Sequence, residues 1–291
     1  MTILELYQKG AARLHEAGIP DASLEAELLL GHLLEISRAH IFLHGNQPIS
    51  ADSEISFNQM LLQRLTRMPL AYIIGQQEFW SLPFFVAPQV LIPRPETEEL
   101  LEIILRQISQ QPSFKGKILD LGTGSGVIAI VLARELSSSN VLAVDRSLDA
   151  LLIARRNAER HLEDGGHRLE LLCSSWAGAL KADNSWDLIV SNPPYVAYEA
   201  LNGLEPEVLN EPIQALDGGE KGMEAIRKIA VSLPGLLKEG GWFFMEIGYD
   251  QKEYVLDLFN GMAEFDQVMV HNDYGGQPRI LQARRECITS I

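Results

Sequence analysis

Apolar positions in the first 75 residues recur only at helical spacing. Thr2 and Glu5 form a capping box, after which Ile3, Leu6, Tyr7, Ala11 and Leu14 line one face until Gly18 stops the run. The same spacing predicts a second helix over residues 23–34, with Leu24, Leu28 and Leu29 turned inward, and a third over residues 51–65, with Ile55 and Met60 inward. Residues 1–75 are therefore expected to form a small all-α helical bundle. Residues 76–90 change character. Phe79, Trp80, Leu82, Phe84, Phe85 and Val86, broken by Pro83, read as a hairpin or extended linker.

From residue 91 to residue 291 short apolar runs alternate with helical stretches. The runs are residues 117–121, 140–144, 168–173, 186–191 and 241–247, and the helices are residues 127–136, 147–161 and 223–236. This alternation predicts an α/β domain with a mostly parallel, doubly wound sheet. Residues 267–270 and 279–283, joined by a turn at residues 274–277, are expected to close it as a C-terminal antiparallel hairpin. That turn contains Tyr274-Gly275-Gly276-Gln277, whose glycines read as a tight connection between strands.

A chain of 291 residues, 46% hydrophobic and 22% charged, is long enough for two such domains. The net charge of −15 and the absence of a basic stripe count against a partner bound through its phosphates. Apolar runs such as residues 127–133 are too short to cross a membrane, and no signal-peptide pattern opens the chain. Two distant cysteines, Cys173 and Cys287, exclude a disulfide framework and fit a reducing cytoplasm. His40 and His44 share helical spacing but lack a third ligand nearby, so no metal is expected.

The first chemical signal is Asp120-Leu121-Gly122-Thr123-Gly124-Ser125-Gly126, which follows an apolar strand and opens a helix. Glycines there allow a tight turn and close approach of a ligand to the backbone. A dinucleotide loop would need a glycine where Val127 stands, and Asp120 would repel a pyrophosphate. S-adenosylmethionine has no phosphate and carries two cationic groups that tolerate a nearby acid. Asp145 ends the next strand, where a carboxylate can accept hydrogen bonds from both ribose hydroxyls. The segment resembles the first motif of Rossmann-like methyltransferases, which implies that fold and S-adenosyl-L-methionine as cofactor. That family often carries an acid after the third strand. Here the region reads Ser174-Ser175-Trp176, which leaves adenine to backbone contacts and Trp176.

The second signal is Asn192-Pro193-Pro194-Tyr195 at the end of the strand Trp186–Ser191. An amide or aromatic amine nitrogen is a poor nucleophile because its lone pair is delocalised. Two acceptors taking its N–H bonds can hold it and enrich it in electrons. Asn192 offers a side-chain oxygen and Pro193 a backbone carbonyl. The prolines stiffen the loop, Tyr195 can stack on the planar group, and positioning supplies most of the acceleration. The alternative is a proline-rich turn without chemistry. The tetrad resembles that of methyltransferases acting on glutamine or on exocyclic base nitrogens.

Further residues narrow the acceptor. Residues 91–98, Leu-Ile-Pro-Arg-Pro-Glu-Thr-Glu, lead into a helix over residues 98–108 with Thr97 as its expected N-cap. With Gly75, Glu78-Phe79-Trp80, and Asn210-Glu211-Pro212 followed by Ala215-Leu216, nearly the whole chain is similar to the HemK/PrmC family of release-factor glutamine N5-methyltransferases. The resemblance implies cofactor contacts from Gly122, Thr123, Gly124, Ser125, Gly126, Asp145, Trp176 and Asn192, and substrate contacts from Asn192, Pro193, Pro194 and Tyr195. It also implies peptide chain release factors of class 1 as partners, methylated on the glutamine of their Gly-Gly-Gln loop, with the helical domain gripping the factor. A cytoplasmic monomer without direct nucleic-acid or membrane binding is expected. The competing readings are a glutamine methyltransferase of a ribosomal protein, an N6-adenine methyltransferase of nucleic acid, and a non-catalytic factor with a relic cofactor site.

Overall fold

A computed structural model describes residues 1–109, 114–162 and 168–287. The described chain divides into two compact units. The first comprises Met1–Gln76 together with Glu205–Asn210. It contains α1 (Ile3–Glu16), α2 (Ala22–Leu34), α3 (Arg38–Leu43), α4 (Ala51–Leu65) and α5 (Leu70–Ile74). The Thr2–Glu5 capping box starts α1 with both of its hydrogen bonds formed. Along α1, Ile3, Leu6 and Leu14 are buried as the pattern requires, Tyr7 and Ala11 are partly buried against the same core, and Gly10 is buried as well.

The inward faces of the next two long helices differ from expectation. Helix α2 buries Ala22, Ala26, Glu27, Leu29 and Leu30, and leaves Leu24 and Leu28 more than a third exposed. Leucines surround most of this helix, so periodicity alone does not select a face. Helix α4 buries Phe57, Leu61 and Arg64, while Ile55 is exposed. Arg64 completes that stripe because two carboxylates neutralise it: its Nε lies 2.5 Å from Glu25 and its Nη2 2.8 Å from Glu207. Helices α3 and α5 are too short to show a period.

The second unit, Gln77–Leu204 with Glu211–Ile291, carries the sheet. Its elements, with a first strand that begins one residue earlier, are β1 (Gln76–Phe79), β2 (Leu82–Phe85), α6 (Pro95–Ile108), β3 (Lys117–Leu121), α7 (Val127–Glu135), β4 (Asn140–Asp145), α8 (Leu148–His161), β5 (Leu169–Cys173), β6 (Trp186–Ser191), α9 (Glu224–Leu236), β7 (Leu237–Glu246), α10 (Lys252–Asn260), β8 (Phe265–Asn272) and β9 (Pro278–Arg285). Strands β1 and β2 pair as a hairpin through Trp80 and Ser81, both at positive φ (54° and 57°), the sign that two-residue type I′ turns require.

Among the described residues the main sheet has seven strands, in the order β5-β4-β3-β6-β7-β9-β8. Strands β3 to β7 pair in parallel, and β9 runs antiparallel to both β7 and β8. This is the expected Rossmann-like α/β fold with its C-terminal hairpin. Alternate strand residues feed two cores. Ile118, Val141, Leu188, Val190 and Phe244 pack with α6, α7 and α8 on one face, whereas Leu119, Val144, Ile189, Phe243 and Met245 pack with α9 and α10 on the other. The Tyr274–Gln277 segment is the turn between β8 and β9, with Gly276 at φ 81°.

Chain order leaves β3 for β4 and β5, then returns to β6 on the other side of β3. The switch point therefore lies at the C-terminal ends of β3 and β6, where open α/β sheets form a crevice. Leu121 pairs with Ser191 in the last register position, and the Ser191 hydroxyl donates to the Leu121 carbonyl at 2.6 Å. Gly122 and Asn192 thus leave the sheet side by side.

Candidate active site

A cavity of about 650 Å³ opens at this switch point, within the size range of small-molecule sites. Of the expected residues, Gly122, Thr123, Gly124, Ser125, Asp145, Trp176, Asn192 and Pro194 line it. Gly126, Pro193 and Tyr195 do not. A Cβ on Gly126 would come within 3.0 Å of Ala154 Cβ, so this glycine lets α8 pack against the loop.

The glycine loop is held from several sides. The amides of Gly122 and Thr123 donate to the Val144 carbonyl. Asp145 accepts from the Gly124 amide at 2.9 Å through Oδ2 and from the Ser147 amide at 2.8 Å through Oδ1. Each oxygen keeps a lone pair, which is what a pair of ribose hydroxyls needs. A Cβ on Gly122 would meet the Trp176 ring at 3.2 Å, whereas Gly124 faces open space. Asn157, fully buried on α8, donates to the Ser125 carbonyl and also bonds both backbone groups of Phe85.

Asp120 lies buried beneath this loop. Its Oδ2 accepts from the Thr123 hydroxyl at 2.6 Å, and its Oδ1 finds no partner among the described residues. Burial, with the Asp145 charge in addition, pushes its carboxyl up to about 7 against the pull of Thr123. The folded protein therefore holds this proton more tightly than the unfolded chain does. Stability falls as pH rises from 3.8 to about 7, and levels off above that. Asp120→Asn escapes this loss. Its melting temperature relative to the wild type is expected to climb across that window, and a pH-independent difference would contradict the assignment.

The tetrad is backed by a carboxylate that the motif does not contain. Glu246 ends β7 and is buried. Its Oε1 accepts from the Tyr195 hydroxyl at 3.1 Å, and its Oε2 from the Thr97 hydroxyl at 2.6 Å. Burial pushes the Glu246 carboxyl above the usual range, while both hydroxyls and the Arg279 charge draw it down. Thr97 is not the expected N-cap. Helix α6 starts at Pro95 with Arg94 as its cap residue, and Thr97 lies buried inside the first turn. Its hydroxyl accepts from Asn192 Nδ2 at 3.1 Å. Asn192 Oδ1 and the Pro193 carbonyl accept no hydrogen bond among the described residues. Tyr195 is anchored through its hydroxyl, and burial and the Glu246 charge raise its pKa. Gln251 Nε2 donates to the Tyr195 carbonyl at 3.1 Å and to the Gly222 carbonyl at 3.1 Å, tying the tetrad to the turn before α9.

Two walls of the crevice are joined by Glu211, which is buried. It accepts from the Ile92 amide at 2.9 Å and pairs with Arg94. The segments around these residues, Gln89 to Arg94 and Pro212 to Ala215, both contribute to the cavity lining. Sequence reasoning missed the roles of Thr97, Asn157, Glu211, Glu246 and Gln251. The one local signal was Glu246, a lone acid closing the apolar run Trp242–Met245 at the same sheet edge as Asp145.

A crevice of this size walled by glycines and a carboxylate, at the switch point of a mostly parallel sheet, fits the site of an S-adenosylmethionine-dependent methyltransferase of the Rossmann-like class. Comparison with known proteins agrees. Residues 5–75 match the PrmC N-terminal domain, and residues 98–233 match the methyltransferase small domain. The chain is 38% identical to the release factor glutamine methyltransferase of Koribacter versatilis, over 98% of this chain and 99% of that protein. It is 39% identical to the one from Geobacter sulfurreducens, over 97% of this chain and 96% of that protein. The hMettl16 catalytic domain in complex with an RNA hairpin superposes with a TM-score of 0.57 at 14% identity, covering 83% of this chain and 84% of that one, a likeness of fold. The chain belongs to the release factor glutamine methyltransferase family.

The cofactor assignment carries a direct test. Asp145→Ala removes the carboxylate expected to accept from the ribose and also frees the Gly124 amide. Calorimetry is expected to show S-adenosylmethionine binding weakened by about 1.5–3 kcal/mol, the worth of hydrogen bonds to a charged group. Tight NAD binding by the wild type with no S-adenosylmethionine binding would overturn it.

Proposed function

We propose that this protein methylates the side-chain nitrogen of the glutamine in the Gly-Gly-Gln loop of class 1 peptide chain release factors. When bound, S-adenosylmethionine supplies a methyl group on a positively charged sulfur, open to in-line displacement. The protein's part is to present the nitrogen. Asn192 Oδ1 and the Pro193 carbonyl accept the two amide N–H bonds, hold the nitrogen in line and raise its electron density. Pro194 walls the crevice beside them, and Tyr195, fixed by Glu246, closes the tetrad against water. The observation that carries this reading is the unpartnered Oδ1 of Asn192, a residue that lines the switch-point crevice and is followed in the chain by the open Pro193 carbonyl.

A glutamine side chain is thin and reaches in from an exposed loop, whereas an adenine must first leave its stack. The net charge of −15 also favours a protein over a phosphate backbone as carrier. Residues 1–75 serve in this reading as a separate docking domain, residues 76–90 as a linker, and residues 91–291 as the catalytic domain. The protein works as a monomer in the cytoplasm, where release factors act. Among the described residues no helix is long and apolar enough to cross a membrane.

Labelled methyl transfer into a cell lysate, followed by identification of the labelled macromolecule, tests the choice of substrate. A release factor is the expected product, and a labelled ribosomal protein would move the assignment to the sister activity. Intact factor is expected to be a better substrate than a short loop peptide, because remote contacts contribute to positioning. Equal rates would reject the docking role of residues 1–75.

A further inference from the structure

The hydrogen bonds behind the tetrad run in one direction. The Thr97 hydroxyl has a single proton, and it is given to Glu246 Oε2 at 2.6 Å. Toward Asn192 the same oxygen can therefore only accept, and it receives Nδ2 at 3.1 Å. An asparagine amide has two nearly isosteric faces, one donating and one accepting. Turned the other way, Asn192 would aim N–H groups at the N–H groups of the substrate and repel them. With Nδ2 committed to Thr97, Oδ1 is the atom left for the crevice. Thr97 is itself held tightly: it is 2% exposed, lies in the first turn of α6, and Glu246 is shared with the Tyr195 hydroxyl.

We propose that Thr97 is a positioning residue for methyl transfer, which, pinned by Glu246, fixes the Asn192 amide with its oxygen toward the acceptor nitrogen. The inference rests on the reading of Asn192 as the group that accepts from the substrate amide. Thr97 is 2% exposed at the cavity wall, and in this proposal it acts through Asn192. Its loss should therefore matter only while Asn192 is present.

A double-mutant cycle with Thr97→Val, which keeps the shape and removes the hydroxyl, reads this dependence. Turnover is measured on whichever planar nitrogen the wild type methylates, so a wrong substrate assignment appears in the wild-type product and not in the cycle. Thr97→Val is expected to lower turnover by about 10–100-fold, the cost of leaving a polar group without its partner. In an Asn192→Ala background the same change is expected to cost less than about 2-fold. Thr97→Ser should recover most of the loss, and calorimetric affinity for S-adenosylmethionine should hardly change. An equal cost of Thr97→Val in both backgrounds would mark a merely structural role and overturn the proposal, as would wild-type turnover in the single variant. If Thr97→Val does not fold, as shown by loss of S-adenosylmethionine binding, Thr97→Ala takes its place in the cycle and is judged by the same two outcomes.

Discussion

Asn192→Ala is expected to lower turnover by about 10²–10³-fold, the cost of removing one polar group aimed at the reacting centre. The side chain does two things at once. Its Nδ2 is taken up by Thr97 at 3.1 Å, which leaves Oδ1 as the open acceptor of a residue that lines the crevice. Alanine leaves one of the two acceptors, so the nitrogen can be approached but is no longer held in line or enriched. Folding should be little affected, because the backbone of this loop is secured elsewhere, through Gln251 at Tyr195 and through Val196, which pairs with Leu216 and Gly218. Steady-state kinetics on a purified substrate is the check, with calorimetry to show that cofactor affinity changes less than turnover. Turnover at the wild-type rate would remove the proposed chemistry.

Gly222→Ala is expected to lower stability by about 2–5 kcal/mol, from left-handed backbone strain together with overpacking. Gly222 has φ 68°, and a Cβ there would lie 2.0 Å from the Tyr195 carbonyl oxygen and 2.6 Å from Gln251 Nε2. Neither neighbour can yield cheaply. The Tyr195 carbonyl belongs to the tetrad, and Gln251 is buried and bonded at both ends of its amide. Relief must come from moving the tetrad loop, so turnover should fall together with stability. Gly276→Ala separates the two effects, because its φ is 81° but nothing lies within 4 Å of its Cβ. That variant should show only the backbone cost, about 1–2 kcal/mol, with unaltered turnover. Chemical denaturation of both variants beside the wild type measures the contrast, and equal losses would contradict it.

Much of the catalytic half is legible in the sequence. Residues 118–121 and 188–191 are buried on both faces, and such strands show as mostly apolar stretches that end where chemistry begins. Glycines at 122, 124 and 126 and the Asn192–Tyr195 tetrad are local in sequence, so a short window contains each of them. What supports them is not local. Thr97 meets Asn192 across 95 positions, and Glu246 meets Thr97 across 149. A threonine beside a proline and two acids reads as a cap until the fold buries it. The helical unit misled for another reason. Arg64 counts as polar along α4, yet Glu25 and Glu207 make it part of the inner face, so the stripe shifted away from Ile55. Helix α10 went unread because only Val255 and Phe259 of its residues are buried, too narrow a stripe to show a period.

On the proposed reading, this crevice methylates an amide nitrogen of a release-factor glutamine. Mass spectrometry of purified release factor, ribosomal protein and nucleic acid, each incubated with the enzyme and S-adenosylmethionine, tests it most directly. One added methyl group is expected on the side-chain nitrogen of the Gly-Gly-Gln glutamine, absent when Asn192→Ala replaces the wild type. Methylated RNA or DNA beside an unmodified release-factor glutamine would contradict it.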